Sequence, residues 1–275
     1  MPRCSPPSAA PHARGPQNEP VNTASERLDR RTLGTEVVLV LLVSLGASAL
    51  RALLYLLDAL TSGQPLWGQS ATIIRSFTPD RPWLDLAYQL VQITLALVPV
   101  LLVAHLLRRS GEGLRGIGFD ASQPGRDAAR GVVLAAVVGG TGLAFYLAAY
   151  AAGLNLRVVP STLGDAWWTL PVLVLAAVEN ALLEEVVVLG YLIHRLRQVG
   201  WGPGAAIAAS ALIRGAYHLY QGLGGFIGNL AMGLLFGWLF TRWRRTTPFV
   251  IAHALIDTVA FVGYAALRGR FAWLP

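Results

Sequence analysis

The chain has 275 residues, of which 54% are hydrophobic and only 13% are charged, and its formal net charge is +7. A soluble domain carries roughly 25% charged residues, so this composition excludes an ordinary soluble enzyme and indicates a polytopic helical membrane protein. The positive charge does not indicate a nucleic-acid partner. All 22 basic residues are Arg, and they cluster between apolar stretches, as charges that set membrane topology do.

The first 34 residues are predicted to be a disordered cytoplasmic tail, and residues 35–275 a transmembrane helical domain. Few large apolar residues are present in the tail, so it cannot bury enough surface to order itself. It also contains six prolines: Pro2, Pro6, Pro7, Pro11, Pro16 and Pro20. The absence of Lys from the whole chain favours a GC-rich, bacterial genome.

Seven apolar stretches follow. Six are close to the roughly 20 residues that cross a bilayer, and the fourth is long enough to project past it or to tilt. The predicted fold is therefore all-α, a transmembrane bundle of about seven spans. Fifteen Arg residues flank the spans on the side of the N-terminus and five on the other. The positive-inside rule then predicts a plasma-membrane protein with a cytoplasmic N-terminus and an external C-terminus. The spans are predicted at Val37–Leu60, Leu84–Leu107, Ala128–Ala152, Trp167–Leu196, Pro203–Gly222, Phe226–Trp243 and Phe249–Leu267.

The fourth span contains three acids, Glu179, Glu184 and Glu185. Each charged residue at the centre of a bilayer costs roughly 2.5–3.5 kcal/mol on insertion scales, so such acids must face a polar interior and indicate a functional site. Neighbouring residues of an α-helix differ by about 100°, so Glu184 and Glu185 are not expected to point equally at one atom. Glu184 is the preferred candidate, and Glu185 is expected to support it, paired with an Arg.

Later spans supply partners for these acids: His218 in the fifth, and His253 and Asp257 in the seventh. His253 and Asp257 are four residues apart and share a helix face. The set suits hydrolysis within a membrane, with Glu184 as the general base. The two imidazoles would either donate to an oxyanion or hold a metal, and Asp257 would fix the tautomer of one His.

Other interpretations apply to each residue taken alone. A His in a membrane helix often makes only an interhelical hydrogen bond, and an acid can belong to a structural ion pair or a proton path. Asn180, one turn before Glu184, is expected to hydrogen-bond it, whereas His194 and Arg195 are expected to snorkel to the cytoplasmic surface.

Counting along the predicted spans places the two catalytic His candidates at different depths. His253 lies about 9 Å and His218 about 23 Å from the cytoplasmic ends of their helices, at about 1.5 Å per residue. They would meet only if the fifth span started later or tilted.

Three motifs in this order resemble the CPBP family, which groups type II CAAX prenyl endopeptidases with bacterial bacteriocin-processing and self-immunity (Abi) proteins. The resemblance covers roughly residues 165–265 and implies a multi-span intramembrane endopeptidase acting on a peptide or protein substrate in or at the bilayer. The motifs are Glu184-Glu185, Tyr217-His218-Leu219-Tyr220-Gln221-Gly222 and His253-Ala254-Leu255-Ile256-Asp257.

The resemblance also implies roles for individual residues. Glu184 would be the catalytic glutamate with Glu185 beside it, and His218, His253 and Asp257 would complete the site. Because these proteins are commonly called metalloproteases, Zn²⁺ or another divalent ion held by Glu184, His218 and His253 is the implied cofactor. The motifs are equally compatible with water activated by Glu184 without a metal.

Two positions depart from the family pattern. The first motif usually continues EExxxR, but Leu189 occupies the Arg position, while the following Gly190 is kept. The second motif usually reads FxxxH, but Arg214 occupies the Phe position, on the same helix face as His218. We therefore hypothesise that Arg214 replaces the missing cation near Glu185.

Two further classes of function compete with a protease. A catalytically inactive family member could serve as a membrane immunity or scaffold protein, and a proton-coupled transporter could use the same acids and imidazoles. Transporters often show paired repeats with broken helices, which this sequence lacks. Because bacteria generally lack prenylated CAAX proteins, that particular substrate is not carried over from the family.

Overall fold

The computed structural model describes residue 1 and residues 29–268. Most of the predicted tail therefore lies outside the described residues. The first helix begins at Arg30, a few residues before the predicted end of the tail, and the side chain of Asp29 caps it by accepting from the Thr32 backbone N–H at 2.6 Å.

The described residues form a helical bundle, which confirms the predicted fold class. Ten α-helices are present, and a π-helical segment, Leu183–Tyr191, joins the sixth to the seventh. The α-helices are α1 (Arg30–Leu42), α2 (Leu45–Thr61), α3 (Pro82–Ala96), α4 (Val98–Arg109), α5 (Pro124–Ala151), α6 (Thr169–Leu182), α7 (Leu192–Val199), α8 (Pro203–Tyr217), α9 (Leu223–Trp243) and α10 (Thr247–Leu267).

Four helical stretches are long and apolar enough to cross a bilayer, and α1 and α2, bent by 48° at their break, add a fifth if counted as one span. The count of seven spans remains a prediction. The four stretches correspond to the second, third, sixth and seventh predicted spans: Pro82–Arg109, Pro124–Ala151, Leu223–Trp243 and Thr247–Leu267.

The fourth predicted span lies at the centre of the bundle. Residues 186–188 of its π-helical segment are completely buried, and helices α4, α6, α7, α8, α9 and α10 all pack against that segment. The fifth predicted span is shorter than expected, since α8 has 15 residues and ends at Tyr217. The helices packed on the π-helical segment, including α8, surround the polar residues of the fourth span with protein, as buried acids require.

Two glycines allow the close approaches that bring the polar residues together. A Cβ at Gly190 would lie 2.7 Å from Thr246 Oγ1, so Gly190 lets the start of α10 pack on the π-helical segment. Gly222 has a φ of +105°, and a Cβ there would lie 2.6 Å from the Leu154 carbonyl oxygen. The turn after His218 is thereby held against residues 154–155 through the bridge between Asn155 and Gly222.

A small parallel sheet joins two of the connecting loops, which the all-α prediction did not include. Strands β1 (Ser70–Ile74) and β2 (Arg157–Ser161) pair in register from Ser70 with Arg157 to Ile74 with Ser161. The β-branched residues of both segments suit a strand, but each segment is too short to stand out between spans.

Arg195 does not snorkel to the surface. Only 1% of its surface is exposed, and its guanidinium donates to Glu112 Oε1 at 3.0 Å and to Ser110 Oγ at 2.7 Å. His194 contacts the other oxygen of Glu112. Glu112, in the loop after α4, supplies the partner that makes burial of this arginine possible.

Candidate active site

Three elements of the bundle bring the predicted site residues together. The π-helical segment carries Glu184 and Glu185, His218 follows the last residue of α8, and α10 carries His253 and Asp257. Glu184, Glu185 and His253 are at most 4% exposed. A hydrophobic cluster that includes Val186–Leu189 and Phe236 encloses the acidic pair.

Arg214 bridges the two carboxylates. Its Nη2 donates to Glu185 Oε1 at 2.7 Å and its Nη1 to Glu184 Oε2 at 3.2 Å. Arg214 is 1% exposed, and its guanidinium carbon lies 5.8 Å from the ring centroid of Phe236. The structure therefore places a cation beside Glu185, as the hypothesis about Leu189 and Arg214 requires.

Space for the Arg214 side chain is provided by α9. A Cβ at Gly233 would lie 3.2 Å from Arg214 Cδ and 2.8 Å from Ala211 Cα. Any larger residue at position 233 would push α9 away from α8 and open the slot in which the guanidinium lies.

Both glutamates reach His253 and Arg214, but they do not point equally at one atom, as the sequence predicts. Nδ1 of His253 is 2.7 Å from Glu185 Oε1 and 3.9 Å from Glu184 Oε2, and Arg214 contacts both residues. The prediction assumed α-helical geometry, whereas both residues lie in a π-helical segment. In a π-helix the hydrogen bonds run from i to i+5, so each residue turns the chain by a smaller angle and adjacent side chains diverge less.

The two oxygens of Glu184 differ in their surroundings. Oε2 accepts the bond from Arg214 and a second from the Tyr217 hydroxyl at 2.7 Å. No described residue donates to Oε1, and this oxygen is not fully enclosed. Oε2 of Glu185, in contrast, is enclosed and has no partner among the described residues. Tyr217 was not predicted from the sequence, although its spacing of three residues from Arg214 puts it on the same helix face.

His253 lies between two carboxylates. Its Nδ1 bonds Glu185, and its Nε2 faces Asp257 Oδ2 at 3.5 Å. Asn180 was expected to bond Glu184, but it donates to Asp257 Oδ2 instead, at 2.8 Å. Asn180 therefore anchors Asp257, and Asp257 orients the His253 ring.

His218 approaches the same cluster through the end of α8. Its Nδ1 lies 2.9 Å from the Arg214 carbonyl oxygen, and since a carbonyl only accepts, this nitrogen carries the proton and donates. Nε2 is then left as an acceptor, and no described residue bonds it. His218 also interacts electrostatically with Glu184 and His253, so the bundle brings the two histidines near one another despite the different depths counted along the predicted spans.

The residues do not fit a resident divalent metal. Glu184, Glu185 and His253 offer atoms within 4.8 Å of one another, and His218 is not part of that group. However, the guanidinium of Arg214 already contacts both carboxylates, and each nitrogen of His253 faces a carboxylate. A divalent cation would have to displace the guanidinium from the carboxylates. The two positive charges would then repel each other at close range.

The arrangement places a carboxylate and an imidazole, each with an acceptor that no described residue bonds, beside a second imidazole that contacts two carboxylates within a helical membrane protein. The family described as Type II CAAX prenyl endopeptidase Rce1-like matches residues 166–259. This match confirms the resemblance drawn from the three motifs. Neither a curated protein nor a solved structure matches the chain.

Proposed function

We propose that the protein is an intramembrane endopeptidase that hydrolyses a peptide bond of a membrane-associated substrate with water activated by Glu184. The observation that carries this proposal is the pair of unfilled acceptors in a buried site. Among the described residues, none donates to Glu184 Oε1 and none bonds His218 Nε2. A water molecule has two protons to donate, so these two acceptors suit it as a shared ligand.

The remaining residues supply the hydrogen-bond donor and the positive charge that the reaction needs. The contact of His253 Nε2 with Asp257 at 3.5 Å is long for a hydrogen bond, so the Nε2–H of a protonated His253 remains available to the oxyanion that forms when water attacks the peptide carbonyl. Nδ1 of His253 stays bonded to Glu185, which holds the ring in place. Arg214 supplies the positive charge that pairs with Glu184 and Glu185, and Glu184 takes the proton from water.

The proposed substrate is a membrane-embedded or lipidated peptide. The family description names prenyl endopeptidases, and a site enclosed by helices of a membrane bundle suits a substrate that arrives from the bilayer. The surrounding lipid and the peptide are then the partners. We also retain the proposal of a bacterial plasma-membrane protein with a cytoplasmic N-terminus.

A second candidate function is a catalytically inactive immunity or scaffold protein. The observation that favours it is the contact of Arg214 with Glu184 at 3.2 Å, because a carboxylate held by a guanidinium is a weaker base. The two candidates differ in what they require of Glu184. An enzyme loses its function when Glu184 becomes Gln, whereas a scaffold keeps it.

Cleavage of a membrane-peptide library by the purified full chain in liposomes tests the proposal, with Glu184→Gln and His253→Ala alongside. Glu36→Gln is a matched control, because Glu36 is also buried in a helix but pairs with Arg109 outside the site. We expect cleavage by the parent and the control, and none by the two site variants. Equal cleavage by Glu184→Gln, or none by a folded parent, would contradict the protease proposal.

A further inference from the structure

The hydroxyl of Tyr217 has one described partner, and that partner is the proposed base. Tyr217 is 5% exposed, and its hydroxyl lies 2.7 Å from Glu184 Oε2. The same oxygen accepts from Arg214 Nη1 at 3.2 Å, while Oε1 of Glu184 receives no bond from a described residue. Both donors therefore bond the same oxygen of the Glu184 carboxylate.

We propose that Tyr217 is a positioning residue that fixes Glu184 through Oε2 and so makes Oε1 the atom that takes the proton from water. This inference rests on the proposed function. In the step it describes, an O–H bond of water breaks as the proton bonds Oε1, and the water oxygen bonds the peptide carbonyl carbon. The carbonyl electron pair moves to its oxygen. When it returns, the C–N bond breaks and the amine takes the proton from Oε1.

The need for such a residue follows from the torsion of a glutamate side chain. The last torsion of Glu is broad and has no strong staggered wells, so a free carboxylate can rotate its two oxygens. Two donors on one oxygen fix the plane of the group. Of the two contacts with Oε2, that of Tyr217 is the shorter, so its loss would leave only the longer contact with Arg214.

Tyr191 provides a matched control within the same bundle. It belongs to the π-helical segment, is 1% exposed and has a hydroxyl that is enclosed without a partner. Phe at either position removes one buried oxygen. Only Tyr217→Phe also removes a contact with Glu184.

The first test compares kcat and KM of the parent, Tyr217→Phe and Tyr191→Phe on a peptide that the parent cleaves, together with their melting temperatures. Misplacing a catalytic group lowers the rate of the chemical step more than binding, so we expect kcat to fall about tenfold or more in Tyr217→Phe, with KM within about twofold. Tyr191→Phe should match the parent. A Tyr217→Phe variant with unchanged kcat, or one whose loss follows its melting temperature alone, would overturn the inference.

A second readout does not depend on peptidase activity. Dicyclohexylcarbodiimide modifies carboxyl groups in apolar surroundings, and mass spectrometry of the full chain in detergent measures its rate at Glu184. Hydrogen bonds to charged groups are among the stronger ones in proteins, so removing this donor should accelerate labelling severalfold in Tyr217→Phe and leave it unchanged in Tyr191→Phe. Equal labelling in all three proteins would overturn the inference even if the parent cleaved nothing, a result that would separately contradict the proposed function.

Discussion

Arg245 and Arg214 are two of the buried arginines that form ion pairs among the described residues, and their surroundings differ. Arg245 donates through Nε and Nη2 to Asp127 at 2.6–2.9 Å, through Nη1 to Ser122 at 2.9 Å and through Nη2 to the Asp120 carbonyl at 3.0 Å. Arg214 bonds Glu184 and Glu185, but it leaves one oxygen of each glutamate without a donor.

The comparison distinguishes a cluster whose hydrogen bonds stabilise the fold from one that retains unpaired acceptor oxygens for a reaction. Arg245 precedes α10 and Asp127 lies in the first turn of α5, so their bonds tie the starts of two long helices together. Most buried polar groups in proteins are satisfied, and the exceptions need an explanation. At Arg214 the exceptions coincide with the segment that matches the endopeptidase family, which supports a catalytic role for the free acceptors.

Replacing Arg214 by Leu is expected to have the largest effect, because it leaves two buried carboxylates without their cation. Breaking a buried ion pair costs about 3–5 kcal/mol, and peptide cleavage should also be lost. The additional change Glu185→Gln should recover part of the free energy of unfolding, since it removes one stranded charge. Denaturant unfolding measures this recovery, and a stable, active Arg214→Leu protein would show that Arg214 does not replace the family arginine.

Asp127→Asn should destabilise the protein comparably without affecting catalysis. It removes the carboxylate that pairs with buried Arg245, at a cost of about 3–5 kcal/mol. We expect a lower melting temperature together with an unchanged kcat per folded molecule. If kcat fell as far as in Arg214→Leu, the distinction between the two clusters would be wrong.

Acid should weaken the Arg245 cluster through Asp120, which lies in the loop before α5. Hydrogen bonds from the Ser122 side chain and backbone, together with Arg245, lower the pKa of Asp120 to about 2. Because the folded pKa is depressed, the contribution of Asp120 is complete above the unfolded value of about 3.9 and is lost as the pH falls towards 2. Melting temperatures should therefore fall between pH 4 and pH 2, and less steeply in Asp120→Asn; identical slopes would exclude Asp120 as a cause.

Removing divalent metals should have the smallest effect, namely none. The guanidinium of Arg214 already neutralises the carboxylates that a metal would need. Activity of the parent should therefore be unchanged after treatment with EDTA and gel filtration, with metal content measured on the same sample. Loss of activity that Zn²⁺ restores would show that a metal displaces Arg214 from the glutamates.

The sequence predicts the membrane bundle. It also predicts that one cluster contains Glu184, Glu185, His218, His253 and Asp257. These predictions succeed because an acid or imidazole in an apolar helix is costly and must find a polar interior. The pairing of Arg214 with Glu185 could also be hypothesised, since a missing and an extra arginine lie on neighbouring motifs.

Other features depend on geometry that no local pattern encodes. The π-helical turn changes where Glu185 points, and nothing in residues 183–191 distinguishes it from an α-helix. Asn180 bonds Asp257 rather than Glu184 because α6 packs closely on α10. Tyr217 could have been found from its spacing to Arg214, but a Tyr in an apolar helix usually has an unremarkable packing role.

Turnover of a membrane peptide by metal-stripped parent protein, compared with Glu184→Gln at equal folded concentration, tests the central claim most directly. A positioned general base contributes about 10²–10⁴-fold, so the account predicts turnover by the parent and a loss of at least about 10²-fold in the variant, with similar melting temperatures. Similar turnover by both proteins, or turnover that requires an added metal, would contradict water activation by Glu184.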